Sequence, residues 1–165
     1  MRYSRIMDTD ERWLTDAEEQ LWRRWLTLNR LVPAALHHDL QADSGLSLAD
    51  FEVLVQLTDT AEGRLRVGDL AQLMQWERSR VSHQVTRMER RGLVTRVDCT
   101  QDGRVAYVAI TPQGREAIEK AAPSHLRTVR RLVFDVLTPA ELAGFEIAVD
   151  KLLAATRAER IEAAL

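Results

Sequence analysis

A single cysteine in 165 residues leaves no internal disulfide framework to expect. No run of apolar residues is long enough to cross a membrane, and the N-terminus MRYSRIMDTDERW has no signal-peptide core. Together these absences point to a cytoplasmic chain. Enzyme signatures are missing as well. No glycine-rich phosphate loop follows a strand, there is no nucleophile elbow, and no carboxylate pair stands in an evident cleft. His37 and His38 raise the question of a metal, but neighbours on a helix point about 100° apart. No cysteine or carboxylate stands beside them at ligand spacing, so His125 would have to converge from another helix. Neither metal nor cofactor is expected.

What the chain does have is concentrated between Arg66 and Thr111. The segment RVGDLAQLMQWERSRVSHQVTRMERRGLVTRVDCTQDGRVAYVAIT reads as helix, turn, basic helix, and a two-stranded hairpin with a charged tip. That order is a winged helix-turn-helix, which lays one helix in a DNA major groove and reaches sideways with a loop. The basic helix is expected to run from about Glu77 to Arg91 and to stop at Gly92. Val81, Val85 and Met88 fall on one side at i, i+4 and i+7. They can pack on Leu70 and Leu73 of the helix before. Ser79, His83, Thr86 and Arg90 lie opposite, with Arg80, Ser82 and Arg87 on the shoulders. Arginine bonds guanine edges in pairs, and Ser, Thr and His serve bases or phosphates. An ordinary solvated helix rich in arginine would look the same, and the hairpin separates the two readings.

Leu93–Asp98 and Val105–Ile110 are strand-like, and Asp102-Gly103 between them is a strong turn pair. Arg104 then sits at the tip, suited to a narrow minor groove, and Asp102 can brace its guanidinium. Charge follows the same plan. The chain carries a net charge of −2, but residues 77–104 hold seven arginines against four acidic residues, a local +3. A basic patch in an acidic chain is what phosphate contact needs.

These residues resemble the MarR (multiple-antibiotic-resistance regulator) family of bacterial transcription factors. The resemblance rests on Met88-Glu89-Arg90-Arg91-Gly92-Leu93-Val94 with Arg96, and on Asp102-Gly103-Arg104 followed by the strand into Thr111-Pro112-Gln113-Gly114. It implies a homodimer on a palindromic operator of double-stranded DNA, usually a repressor, and often released by a small molecule. By position Asp102 and Arg104 match the family's wing pair, and Ser79, Arg80, Ser82, His83 and Arg87 its variable reading helix. Redox sensors of the family typically carry their cysteine near the N-terminal helix. Cys99 stands instead at the wing base, where packing is its default role.

The flanks are helical. Thr15-Asp16-Ala17-Glu18 is a capping box, followed by Leu21, Trp25, Leu28 and Val32, with a kink expected at Pro33. Ser47 opens a helix carrying Phe51, Leu54, Val55 and Leu57. Thr111-Pro112 begins another, with a bend expected near Ala122 before Pro123, and then Leu126, Val129, Leu132, Val133 and Val136. Thr138-Pro139-Ala140-Glu141 caps the last, which carries Leu142, Phe145, Val149, Leu152 and Leu153. The expected fold is therefore mainly α with a small β wing. Residues 1–45 form an N-terminal dimerisation helix, 46–111 the winged helix-turn-helix, and 112–165 C-terminal dimerisation helices. Each terminal stripe is too wide for one neighbour, so two chains are expected to pair about a two-fold axis, against the alternative of a monomeric bundle. Trp22, Trp25, Arg24, His37, His38 and Trp76 are near the cleft where an effector would sit, but the tryptophans read first as core. The alternative function is a constitutive or architectural DNA binder with no effector.

Overall fold

Thr15, Ser47 and Thr138 each start a helix by reciprocal bonding, which the sequence predicts at Thr15 and Thr138. Thr15 Oγ1 accepts from the Glu18 N–H at 3.3 Å while the Glu18 carboxylate accepts from the Thr15 N–H at 2.7 Å. Ser47 and Asp50 repeat the exchange at 3.0 and 2.9 Å, and so do Thr138 and Glu141. The helices that follow are α1 (Asp16–Ser44), α2 (Leu48–Thr58) and α6 (Pro139–Glu162). Between α2 and α6 come β1 (Arg64–Arg66), α3 (Val67–Met74), α4 (Arg78–Arg90), β2 (Val94–Asp98), β3 (Ala106–Ile110) and α5 (Pro112–Val129). The computed structural model describes residues 13–98 and 106–162. Asp102, Arg104, Cys99 and Val105 lie outside the described residues.

The hairpin of the sequence is a three-stranded antiparallel sheet, ordered β1-β3-β2. Arg64 pairs with Ala109 and Arg66 with Tyr107 on one side of β3, while Val94 pairs with Ile110 on the other. The added strand β1 is three residues long, and within it only Leu65 turns partly inward. That is too short to display the alternation by which a strand is recognised.

One core joins the elements. Leu40 of α1 and Leu46 meet Val53, Leu54 and Leu57 of α2, Leu70 of α3, Val81, Val85 and Met88 of α4, Val108 of β3 and Ala121 of α5. The inward face of α4 is the expected one, and its three apolar residues are fully buried. On α3 the partner is Leu70 with Ala71, whereas Leu73 is 54% exposed. Leu70 and Leu73 are three apart, and in an eight-residue helix Met74 takes the inner position at i+4.

Neither internal proline ends its helix. Pro33 lies inside α1 and Pro123 inside α5. Side chains flanking Pro123 hold α5 to α1: the Ser124 hydroxyl donates to Asp43, and the Thr128 hydroxyl donates to Asp39 at 2.6 Å. A π-helical turn at Arg130–Phe134 then leads to α6. His125 stacks on Phe51 with ring centroids 4.3 Å apart, and burial lowers its imidazole pKa below the ordinary value. Among the described residues no three His, Cys, Asp or Glu side chains gather to hold a metal ion, and no helix is long and apolar enough to cross a membrane.

The tryptophans of α1 are not core within this chain. Trp22 is 45% and Trp25 38% exposed, and only Trp76 packs partly against the core. Residues of α6 are exposed or half-buried throughout its described side chains, among them Phe145, Ile147, Leu152 and Leu153.

Candidate nucleic-acid interface

α3 and α4 meet at a tight turn in which Gln75 takes the left-handed conformation, φ 54° and ψ 37°. A non-glycine residue there carries a strain of about 1 kcal/mol, tolerated because the core fixes both helices. α4 then starts at Glu77, whose side chain does not cap it, so the amides of its first turn face outward without a protein side chain. It ends at Arg91, and Gly92 follows with φ +72°. A Cβ at Gly92 would stand 2.5 Å from the Gln113 side-chain oxygen, so both backbone conformation and space favour glycine.

The residues singled out in sequence take their places along α4. Ser79, Arg80, Ser82, His83, Arg87 and Arg90 are exposed, and Thr86 is half-buried. Val81, Gln84, Val85 and Met88 anchor the helix from beneath. Three of the outer groups already have partners. The Arg80 guanidinium lies 3.8 Å from the Trp76 ring centroid, a cation–π contact that holds it flat against the turn. Thr86 Oγ1 donates to the Ser82 carbonyl at 2.9 Å and accepts from Arg96 at 2.9 Å. Arg87 donates to the Gln84 side-chain oxygen.

Two arginines that count toward the local charge are committed to bonds within the protein. Arg96 on β2 pairs with Glu89, and its guanidinium also reaches the Ser82 carbonyl at 3.3 Å. It therefore straps β2 to α4. Arg91 donates to Asp50 at 2.6 Å and to the Gly45 carbonyl at 2.8 Å. The outward-facing cations of α4 are thus Arg78, Arg80, Arg87 and Arg90.

Sequence reasoning missed the acidic centre of this arrangement. Asp50 is 3% exposed and Gln84 2%, and the Gln84 amide donates to the Asp50 carboxylate at 2.6 Å. The clue was available: Gln84 sits three residues after Val81 and four before Met88, on the inward face. A second basic group lies on β1, outside the sequence-predicted site. Arg64 and Arg66 of β1 stand 5.3 and 5.7 Å from the Tyr107 ring centroid, and Arg66 Nε donates to the Tyr107 hydroxyl at 3.1 Å.

Two concavities flank α4. One, of about 640 Å³, lies in the helix-turn-helix corner against Gly68, Gln72, Gln75, Trp76, Arg78 and Ser79. The other, of about 660 Å³, opens between α1, α2 and α4 and is lined by His37, Gln41, Asp50, Gln84, Arg87 and Arg91 among others. Trp22, Trp25 and Arg24 line neither.

Comparison with known proteins agrees with this geometry. A model described as MarR family matches residues 44–105. The crystal structure of AbsC, a MarR family transcriptional regulator from Streptomyces coelicolor, is 40% identical with a TM-score of 0.82, over 90% of this chain and 99% of that one. Sco3205, a MarR family transcriptional regulator from the same organism solved in complex with DNA, is 34% identical with a TM-score of 0.82, over 87% and 94%. An HTH-type transcriptional regulator of Bacillus cereus is 29% identical over 119 residues, 71% of this chain and 78% of its own length.

Proposed function

The chain belongs to the MarR family of transcriptional regulators, and from that premise we propose that it is a homodimeric repressor of a palindromic operator. Membership assigns it to transcription regulation rather than catalysis. The observation that carries the finer reading is α4 itself: an apolar underside locked in the core and an outer side of arginines and short polar groups. Arg80, Arg87 and Arg90 suit guanine edges and phosphates, and Ser79, Ser82 and His83 suit bases or backbone. The Thr86 hydroxyl is already engaged on both sides, so Thr86 offers its methyl group, which suits thymine. The uncapped first turn of α4 is a ready phosphate site. Asp102 and Arg104 complete the contact as the wing pair.

Pairing of two chains is supported by the apolar surface that one chain leaves bare. Leu21, Leu28 and Leu31 of α1 are 66%, 49% and 63% exposed, and α6 adds Phe145 and Leu152. Large apolar side chains left bare in such number mark an interaction surface. Helices α1, α5 and α6 of two copies packing together would set two α4 helices about 34 Å apart on one side of the duplex. Release by a small molecule is the last part of the proposal. The α1–α2–α4 cleft falls in the size range of ligand sites, roughly 300–1,000 Å³, and touches Arg87 directly.

The test begins with an operator selected from random DNA by the full chain. Arg104→Ala is then expected to lower affinity roughly tenfold, the loss of one groove contact, with the oligomeric state unchanged in sedimentation. Unaltered gel-shift affinity would remove Arg104 from the interface. An affinity indifferent to every candidate metabolite would favour a constitutive binder over a ligand-released one.

A further inference from the structure

We propose that Asp50 and Gln84 act as a buried positioning relay that sets the base preference of Arg87. The inference rests on the assignment of Arg87 to base reading and adds what orients it. Asp50 is fixed first: its carboxylate accepts from the Ser47 N–H at 2.9 Å and from Arg91 at 2.6 Å, and Arg91 is itself tied to the Gly45 carbonyl. A carboxylate only accepts, so Gln84 must turn its NH2 group toward it, as the 2.6 Å bond shows. The Gln84 side-chain oxygen is thereby aimed the other way, along α4, where Arg87 at i+3 donates to it. The amide cannot flip without setting its NH2 against the guanidinium and its oxygen against the carboxylate.

The consequence falls on a long, exposed side chain. An arginine free in water samples many rotamers and loses that freedom on binding a base. Here one N–H is held and the others remain for a bidentate contact, which suits a guanine edge. A methionine at position 84 would fill a similar volume but would leave Arg87 to search. Gln84 is thus a positioning residue, and the α1–α2 turn is joined to the reading surface through four hydrogen-bonded side chains.

The experiment selects bound sequences from randomised DNA with the full chain and with Arg87→Ala, Gln84→Met and the double variant, alongside thermal melts. Arg87→Ala is expected to lose a roughly tenfold preference at one symmetric pair of positions. Gln84→Met should lose most of the preference at those same positions, and the double variant should lose no more than Arg87→Ala alone. Should Gln84→Met fail to fold, Gln84→Asn gives the same expectation, because an arm one methylene shorter cannot span Asp50 and Arg87. A Gln84 variant that keeps the preference, or that weakens all sequences alike, overturns the relay while leaving Arg87 as a reader. A silent Arg87→Ala overturns the assignment of Arg87 and the relay with it.

Discussion

Replacing Gly114 by alanine is expected to destabilise the protein by at least about 3 kcal/mol, lowering Tm by roughly 6–12 °C. Helix propensity alone predicts the opposite sign, since alanine is favoured over glycine in a helix by about 1 kcal/mol. Packing decides the matter. A Cβ at Gly114 would stand 2.0 Å from the Leu93 carbonyl oxygen and 3.0 Å from its carbon, so backbone and not a flexible side chain must yield. The Leu93 oxygen is also held in place, accepting from the Thr111 N–H at 3.2 Å and from its hydroxyl at 3.1 Å. Thr111 donates to the Gly92 carbonyl at 2.6 Å as well. This stitch joins the end of α4 to the start of α5, and so fixes the two helices relative to each other. Circular-dichroism melts at equal protein concentration measure the effect, and a raised Tm would mean that the close approach does not exist.

A second large effect is expected at the bare stripe of α1. Trp25→Glu with Leu28→Glu should separate the two chains and lower operator affinity by roughly 10²–10⁴, the gain that two linked contacts hold over one. Trp25 and Leu28 are 38% and 49% exposed, so the substitutions cost little within one chain, and the monomer should stay folded. Sedimentation and gel shift on the same sample read both quantities. A dimer that persists, or a monomer that binds the full operator as tightly, would remove the terminal helices from the interface.

The parts legible in sequence are those that local chemistry dictates. Thr15, Ser47 and Thr138 cap helices because their partners stand three residues on, and no distant contact is needed to make the box. Val81, Val85 and Met88 declare the buried side of α4 by spacing alone. What could not be read depends on distance along the chain. Arg91 looks like another groove cation until α2 brings Asp50 to it across 41 residues. Arg96 looks available until the sheet sets it on Glu89. Strand β1 has only β3 to define it, and β3 is more than forty residues away at the Arg66–Tyr107 pair. The tryptophans of α1 read as core because helical spacing cannot tell a chain's own interior from an exposed apolar stripe. Pro123 marks a missing N–H, but hydroxyl-to-carboxylate bonds from Ser124 and Thr128 to α1 hold the helix through it.

Hydroxyl-radical footprinting of the full chain on its selected operator addresses the central claim most directly. Two protected patches related by a dyad are expected, about one helical turn or ~34 Å apart on the same face of the duplex, with affinity falling steeply as salt rises. A single patch, patches on opposite faces, or an affinity indifferent to salt would contradict it.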